Sequence, residues 1–281
     1  MHLDERPIAF FDSGVGGLPY LAAARRILPG ERFVYLADRA GFPYGTKSVE
    51  RVIGLALDAI GALVAKTNPK AIVVACNTAT ELAIEEIRAA NPGVPVVGTV
   101  PAIKPAAALS KCRRLGVVAT PAAAAAAYLT DLARKWAADC VVVKLGDGAL
   151  VDFVEHRFID ASRDERLAAV RPSVNAMLEK KVDAIVLGCT HFLHLAEEFK
   201  EVAGPGVAIV DSRDGVAARL ATILGSNRTL SAADQSLAAE ALRGAVMRSE
   251  DRMYLTGSGD FGTVYTGFAS LFQLACAGVL T

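Results

Sequence analysis

The sequence predicts an α/β fold: two similar domains with parallel sheets flanked by helices, pseudo-twofold related, with the active site in the cleft between them. Three observations carry this reading. Short β-rich apolar runs alternate with helical stretches, the signature of right-handed βαβ units. The alternation restarts near residue 115. And "AIVVACNTATELA" (71–83) returns, little changed, as "AIVLGCTHFLHLA" (184–196).

The first set of strands is expected at 7–12 (PIAFFD), 32–38 (RFVYLAD), 71–76 (AIVVAC) and 94–98 (VPVVG). Between the second and third, Ile53, Leu57, Ile60 and Val64 recur on one face of a helix. The second set is expected at 115–119 (LGVVA), 140–145 (CVVVKL), 184–189 (AIVLGC) and 207–211 (VAIVD). Spacing agrees between the sets: Asp12 precedes Cys76 by 64 positions, and Ala119 precedes Cys189 by 70. Thr99 and Ser212 each follow their cysteine by 23. Asp38 ends the second strand of one set and Asp147 follows that of the other, so we read a divergent duplication. Beyond residue 213, helical stretches at 214–224 and 232–248 and the segment "RMYLTGSGDFGTVYTGFASLFQL" are too little for a third domain. They are expected to pack back on the first half. The domains are therefore 1–99 plus 213–281, discontinuous, and 100–212.

Composition narrows the function. With 281 residues and 53% hydrophobic content the chain can bury two sizeable cores. Thirty basic residues balance thirty acidic ones with no basic stripe, which argues against nucleic acid. No apolar run reaches the ~18 residues of a membrane span, and the charged start "MHLDERPIAFF" is not a signal peptide. Five scattered cysteines without a C-x-x-C suggest a reduced, cytoplasmic protein with neither a disulfide framework nor a zinc site. No metal is expected.

Strand carboxyl ends are where open α/β sheets bind ligands. Cys76, Cys189, Asp12 and Ser13 all lie at such ends. Two opposed thiols suit inversion of a carbon that bears a proton, one sulfur removing a proton while the other delivers one. Each cysteine opens a strand-to-helix turn, where its pKa is expected to be lowered. Cys112, Cys140 and Cys276 are read as packing residues. In "FDSGVGGL" (11–18) glycines after a strand can present N–H groups to an anion, without the spacing of a dinucleotide site. In "GFPYGTKS" (41–48) Tyr44 and the Gly45 N–H are candidates for a carboxylate. His191, beside Cys189, can donate a proton or tune the thiol, whereas His194 is expected on the helix surface. Besides an enzyme, a thiol-switch binding protein built on Cys76 and Cys189 is a reading of another class.

Taken together, "FDSGVGGL", "ADRAGFPYGTKS", "ACNTAT", "LGVVATPA" and "LGCTH", in this order from about residue 8 to 215, resemble the cofactor-independent glutamate racemases of the aspartate/glutamate racemase superfamily. The resemblance implies interconversion of L- and D-glutamate without a cofactor, for peptidoglycan synthesis, cell wall biogenesis and cell shape, by a cytoplasmic enzyme that is commonly a homodimer. Cys76 then corresponds to the base acting on D-glutamate and Cys189 to the base acting on L-glutamate, assisted by Asp12 and His191 respectively. Ser13, Pro43, Tyr44, Gly45, Asn77, Thr78, Thr120 and Thr190 match substrate-binding positions, and Glu155 matches an acidic residue near the histidine. "CTHFLHL" departs from the family's aromatic, proline and leucines after the second cysteine, and "TGSGDF" matches only loosely. Aspartate and hydantoin racemases are the nearest rival readings.

Overall fold

The computed structural model describes residues 4–226 and 251–281, and the helix expected at 232–248 lies outside them. In chain order the elements begin with β1 (Ile8–Asp12), α1 (Leu18–Ile27), β2 (Phe33–Ala37), a 3-10 turn (Tyr44–Thr46), α2 (Val49–Thr67), β3 (Ala71–Val74), α3 (Asn77–Ala90) and β4 (Val96–Gly98). There follow α4 (Ile103–Leu109), β5 (Arg114–Ala119), α5 (Pro121–Ala125), α6 (Ala127–Trp136), β6 (Val141–Gly146), α7 (Gly148–His156), α8 (Arg163–Glu179) and β7 (Ala184–Leu187). A second 3-10 turn (Thr190–Leu195), α9 (Ala196–Ala203), β8 (Ala208–Val210), α10 (Arg213–Ser226), β9 (Arg252–Thr256), α11 (Gly262–Leu271) and β10 (Ala275–Leu280) complete the described residues. It divides into two compact units, Met1–Thr99 with Arg213–Thr281, and Val100–Ser212. Among the described residues no helix is long and apolar enough to cross a membrane.

The first unit holds a six-stranded sheet, β10-β9-β2-β1-β3-β4, every pair parallel. Strands β1, β2 and β3 are buried along their whole length, as expected where helices cover both faces. Helix α2 starts on Ser48, whose hydroxyl accepts the Arg51 N–H, and ends on Asn68 in the left-handed region at φ 44°. Its buried face is Val52, Ala56, Ala59, Ile60 and Leu63, so Ile53, Leu57 and Val64 flank the contact rather than centre it. Alanines on that face let the helix lie close to the sheet. The C-terminal segment contributes two strands that apolar periodicity had not revealed. Asp251 fastens them: its buried carboxylate accepts the Phe33 N–H (2.8 Å) and Arg25 Nη2 (2.7 Å).

The second unit holds a four-stranded parallel sheet, β6-β5-β7-β8. Replacing each strand by its rank within its own set turns both β2-β1-β3-β4 and β6-β5-β7-β8 into 2-1-3-4. The registers agree as well. Phe11 pairs with Val74 where Val118 pairs with Leu187, and Asp12 pairs with Ala37 where Ala119 pairs with Gly146. The bonds that follow are matched too: Ala75 N–H to Phe11 O and Gly188 N–H to Val118 O, then Asp38 N–H to Asp12 O and Asp147 N–H to Ala119 O. Cys76 and Cys189 therefore stand at the same place in two copies of one supersecondary unit.

Candidate functional site

In the first unit Cys76 follows β3 and caps α3, its sulfur accepting the Ala79 N–H at 3.5 Å. The Cys76 thiol donates to Ser13 Oγ (3.7 Å), and Ser13 Oγ donates to Asp12 Oδ1 (3.2 Å). A thiol, a hydroxyl and a carboxylate thus form a chain, and all three residues are buried. The helix start does not lower the thiol's pKa, contrary to expectation. Burial pushes it up to about 12, the Asp12 charge adds to the effect, and the bonds from Ala79 and Ser13 only partly oppose it. At rest Cys76 is a thiol.

The glycine turn after β1 is less open to an anion than the sequence suggests. Gly14 N–H is bound to Asp12 Oδ1 (3.1 Å) and Gly17 N–H to the Tyr35 hydroxyl (3.1 Å), which itself donates to Gly14 O (2.8 Å). Tyr35 braces this turn from the middle of β2. Asn77 and Thr78 open α3, half-buried, and Asn77 Oδ1 accepts the Thr99 hydroxyl at 2.9 Å. Tyr44 is buried, and its hydroxyl donates to Asp38 Oδ2 (2.7 Å). Desolvation, reinforced by the Asp38 charge, holds that phenol far above its usual pKa. Its one proton is committed, so what the loop can offer a carboxylate is backbone: N–H groups opening a helical turn have no partner inside it. The Phe42–Pro43 peptide is cis, and Pro43 and Gly45 are half-buried beside it.

In the second unit Cys189 follows β7 and precedes the 3-10 turn that carries Thr190 and His191. His191 Nδ1 lies 3.8 Å from Cys189 Sγ and 3.4 Å from Thr190 Oγ1, while Nε2 meets Glu155 Oε2 at 2.8 Å. Glu155 comes from α7, which starts on Asp147, whose carboxylate accepts the Leu150 N–H at 2.9 Å. Glu155 and His191 are 1% and 3% exposed, which marks a built pair and not a surface contact. Burial works against the imidazolium, but the bonds to Cys189 and Glu155 outweigh it and raise the His191 pKa well above 6.5. Thr120, at the position equivalent to Ser13, caps α5 by accepting the Ala123 N–H at 3.2 Å. His194 is half-buried, with its ring 5.4 Å from that of Phe158.

Each unit thus gathers its own predicted residues: Asp12, Ser13, Cys76, Asn77 and Thr78 in the first, Glu155, Cys189, Thr190 and His191 in the second. Residue by residue the helpers differ. Asp12 has Ala119 as its counterpart, and His191 has Thr78. Two expectations fail outside the site, because Cys112 and Cys276 are exposed and do not pack in a core. Cys140 is partly buried against the second unit's core. Sequence reasoning missed Thr99 as a partner of Asn77, Tyr35 as the brace of the glycine turn, and Thr256 as a partner of Asp38, which holds Tyr44. Each acts through a hydroxyl bonded to a residue distant in sequence, for which the sequence carries no local signal.

A model of the Asp/Glu/hydantoin racemase family matches residues 20–220, which is most of the chain. The chain belongs to the Asp/Glu/hydantoin racemase family. It is accordingly a racemase, an isomerase. Within this family it is 39% identical to a glutamate racemase of Shewanella sp. (strain MR-7) over 245 residues, 87% of each protein. Glutamate racemases of known structure share its fold. The Escherichia coli protein, in complex with L-glutamate and the activator UDP-MurNAc-Ala, matches with a TM-score of 0.81 and 28% identity over 98% of both chains. The Francisella tularensis protein, in complex with D-glutamate, matches with a TM-score of 0.74 and 25% identity, covering 99% of this chain and 97% of that one.

Proposed function

We propose that this chain interconverts L- and D-glutamate by two-base proton transfer at the α-carbon, without a cofactor, and so supplies D-glutamate for the peptidoglycan of the cell wall. The observation that carries the reading is the register-equivalent pair of thiols, each with a different acid–base partner. Relatives named glutamate racemases, with L- or D-glutamate in two solved structures, support the choice of substrate.

From L-glutamate, Cys189 takes the α-proton and Cys76 delivers its own to the opposite face; from D-glutamate the roles exchange. A resting Cys76 thiol is already in the state required for the first direction. In the direction from D-glutamate the Cys76 proton passes to Ser13 Oγ as the Ser13 proton passes to the Asp12 carboxylate, which leaves the thiolate that takes the α-proton. The His191–Glu155 pair places positive charge beside Cys189 and exchanges its proton. The α-proton of an amino acid is a very weak acid, so the enolate-like charge needs fixed donors on the α-carboxylate in a dry site. Ser13, Asn77, Thr78, Thr120, Thr190 and the Pro43–Gly45 backbone are the groups assigned to hold the substrate.

The test is α-proton exchange in deuterated water with L-glutamate and, separately, L-aspartate. Glutamate is expected to incorporate deuterium as it racemises. Cys76→Ala and Cys189→Ala are each expected to lose racemisation by about a thousandfold or more, as for removal of an acid–base group. Each is expected to retain elimination of a leaving group from a β-substituted analogue, which needs one base only. Full racemisation by either alanine variant would remove the two-base assignment, and exchange confined to aspartate would remove glutamate as substrate.

A further inference from the structure

Asp38 is 2% exposed, and among the described residues no lysine or arginine forms a salt bridge with it. The Arg39 guanidinium beside it points elsewhere, donating to Asp260 O and Ser258 O at 2.6 Å each. The Asp38 carboxylate is held by three neutral donors: the Tyr44 hydroxyl (2.7 Å), the Gly41 N–H (3.2 Å) and the hydroxyl of Thr256. Thr256 ends β9, one residue past the Ala37–Leu255 pair, so the parallel register brings it to Asp38 across 218 positions of sequence. Its oxygen also accepts the Ala40 N–H at 3.1 Å. One hydroxyl thus bridges the buried carboxylate and the first residue of the loop that leads to Pro43, Tyr44 and Gly45.

We propose that Thr256, acting through Asp38, is a positioning residue that sets the Pro43–Gly45 loop for the substrate carboxylate; this rests on the reading above that the loop binds that group. A buried carboxylate deprived of one of three donors is underbonded, and so is the Ala40 N–H. The cheapest repair is movement of the loop, because the loop supplies the other two donors. The residues after β9, from Ser258 to Asp260, are the outer half of the same fastening, held by Arg39.

The experiment compares Thr256→Val, which keeps shape and loses the hydroxyl, with Thr256→Ser, which keeps it. Thr256→Val is expected to raise KM for glutamate in both directions by about tenfold while kcat changes much less, the scale of one lost bond to a charged group. Thr256→Ser is expected to restore the wild-type KM, and amide hydrogen exchange in 38–47 to be faster in Thr256→Val alone. A merely structural role would lower Tm and leave KM unmoved, and that result, in an enzyme active on glutamate, overturns the proposal. Should Thr256→Val not fold, Arg39→Met loosens the loop from its exposed side, and a KM rise of about threefold is then expected, with no rise counting against. If the wild-type protein does not exchange the glutamate α-proton at all, the substrate reading has failed. Hydrogen exchange alone then decides the fastening, which unchanged rates at 38–47 overturn.

Discussion

At the scale of single residues, Asp12 and His191 are where the two copies part. One sulfur reaches a carboxylate through Ser13, the other a histidine backed by Glu155. Asp12→Asn and His191→Asn are therefore expected to lower kcat unequally in the two directions, each by about a hundredfold in its worse direction. Steady-state racemisation followed by circular dichroism from each enantiomer checks this, and equal losses in kcat both ways would remove the assignment of sides. The raised His191 pKa carries a consequence for stability. Its contribution is fully present below pH 6.5, where the unfolded chain also holds the proton, and is lost as pH rises through the higher folded value. Glu155→Gln removes one of the groups that hold the proton and is expected to flatten that loss in urea midpoints measured from pH 6 upward. The cysteines were legible because a whole strand-end phrase repeats. The direction of the Cys76 shift was not, because helix starts can be read from sequence whereas complete burial beside Asp12 cannot.

At the scale of elements, α3 determines where Cys76 sits, and Thr80 ties α3 to the sheet. Its hydroxyl donates to Val74 O (3.0 Å) and accepts the Thr99 N–H (3.1 Å). Thr80→Val keeps the shape and strands the Thr99 N–H, an expected loss of about 1–3 kcal/mol in denaturant unfolding. Gly98 on β4 faces the same threonine: a Cβ there would lie 2.6 Å from Thr80 Cγ2. A Cβ on Gly116 would come equally close to Met177 Sδ, the end of a flexible chain. Gly98→Ala is expected to lower Tm more than Gly116→Ala, since a β-branched side chain cannot swing aside. The eight strands of the two sets were visible as apolar runs. β9 and β10 were not, because exposed Arg252 and half-buried Thr256 leave only three buried residues in "RMYLT", and β10 lies partly exposed at the sheet edge, with a register shift between Cys276 and Gly278.

At the scale of the whole molecule, the duplication is expressed in strand order, register and the bonds that follow each strand. Only the first copy is extended, by β9 and β10, and only that extension supplies Asp251 and Thr256. The second unit is continuous in sequence, with its own sheet and its own core cluster. Residues 100–212 expressed alone are expected to unfold in one cooperative transition by circular dichroism, and a gradual loss of signal would show that this unit depends on the other. The spacing of the two cysteine phrases made the repeat legible across more than a hundred residues. What spacing could not show is how the helpers are wired, since side-chain bonds over such separations leave no periodic trace.

The unequal partners of two equivalent sulfurs have a limit set by symmetry of another kind. Mirror-image amino acids have the same free energy in water, so the equilibrium constant of a racemase is one. The ratio of kcat/KM for the two directions must then also be one, whatever Asp12 and His191 do. Loss of either helper can redistribute kcat against KM on its own side, but it depresses both specificity constants together. On the proposed assignment, the asymmetry of the two strand ends decides which bound state accumulates, while the direction of net flow belongs to whatever consumes the product.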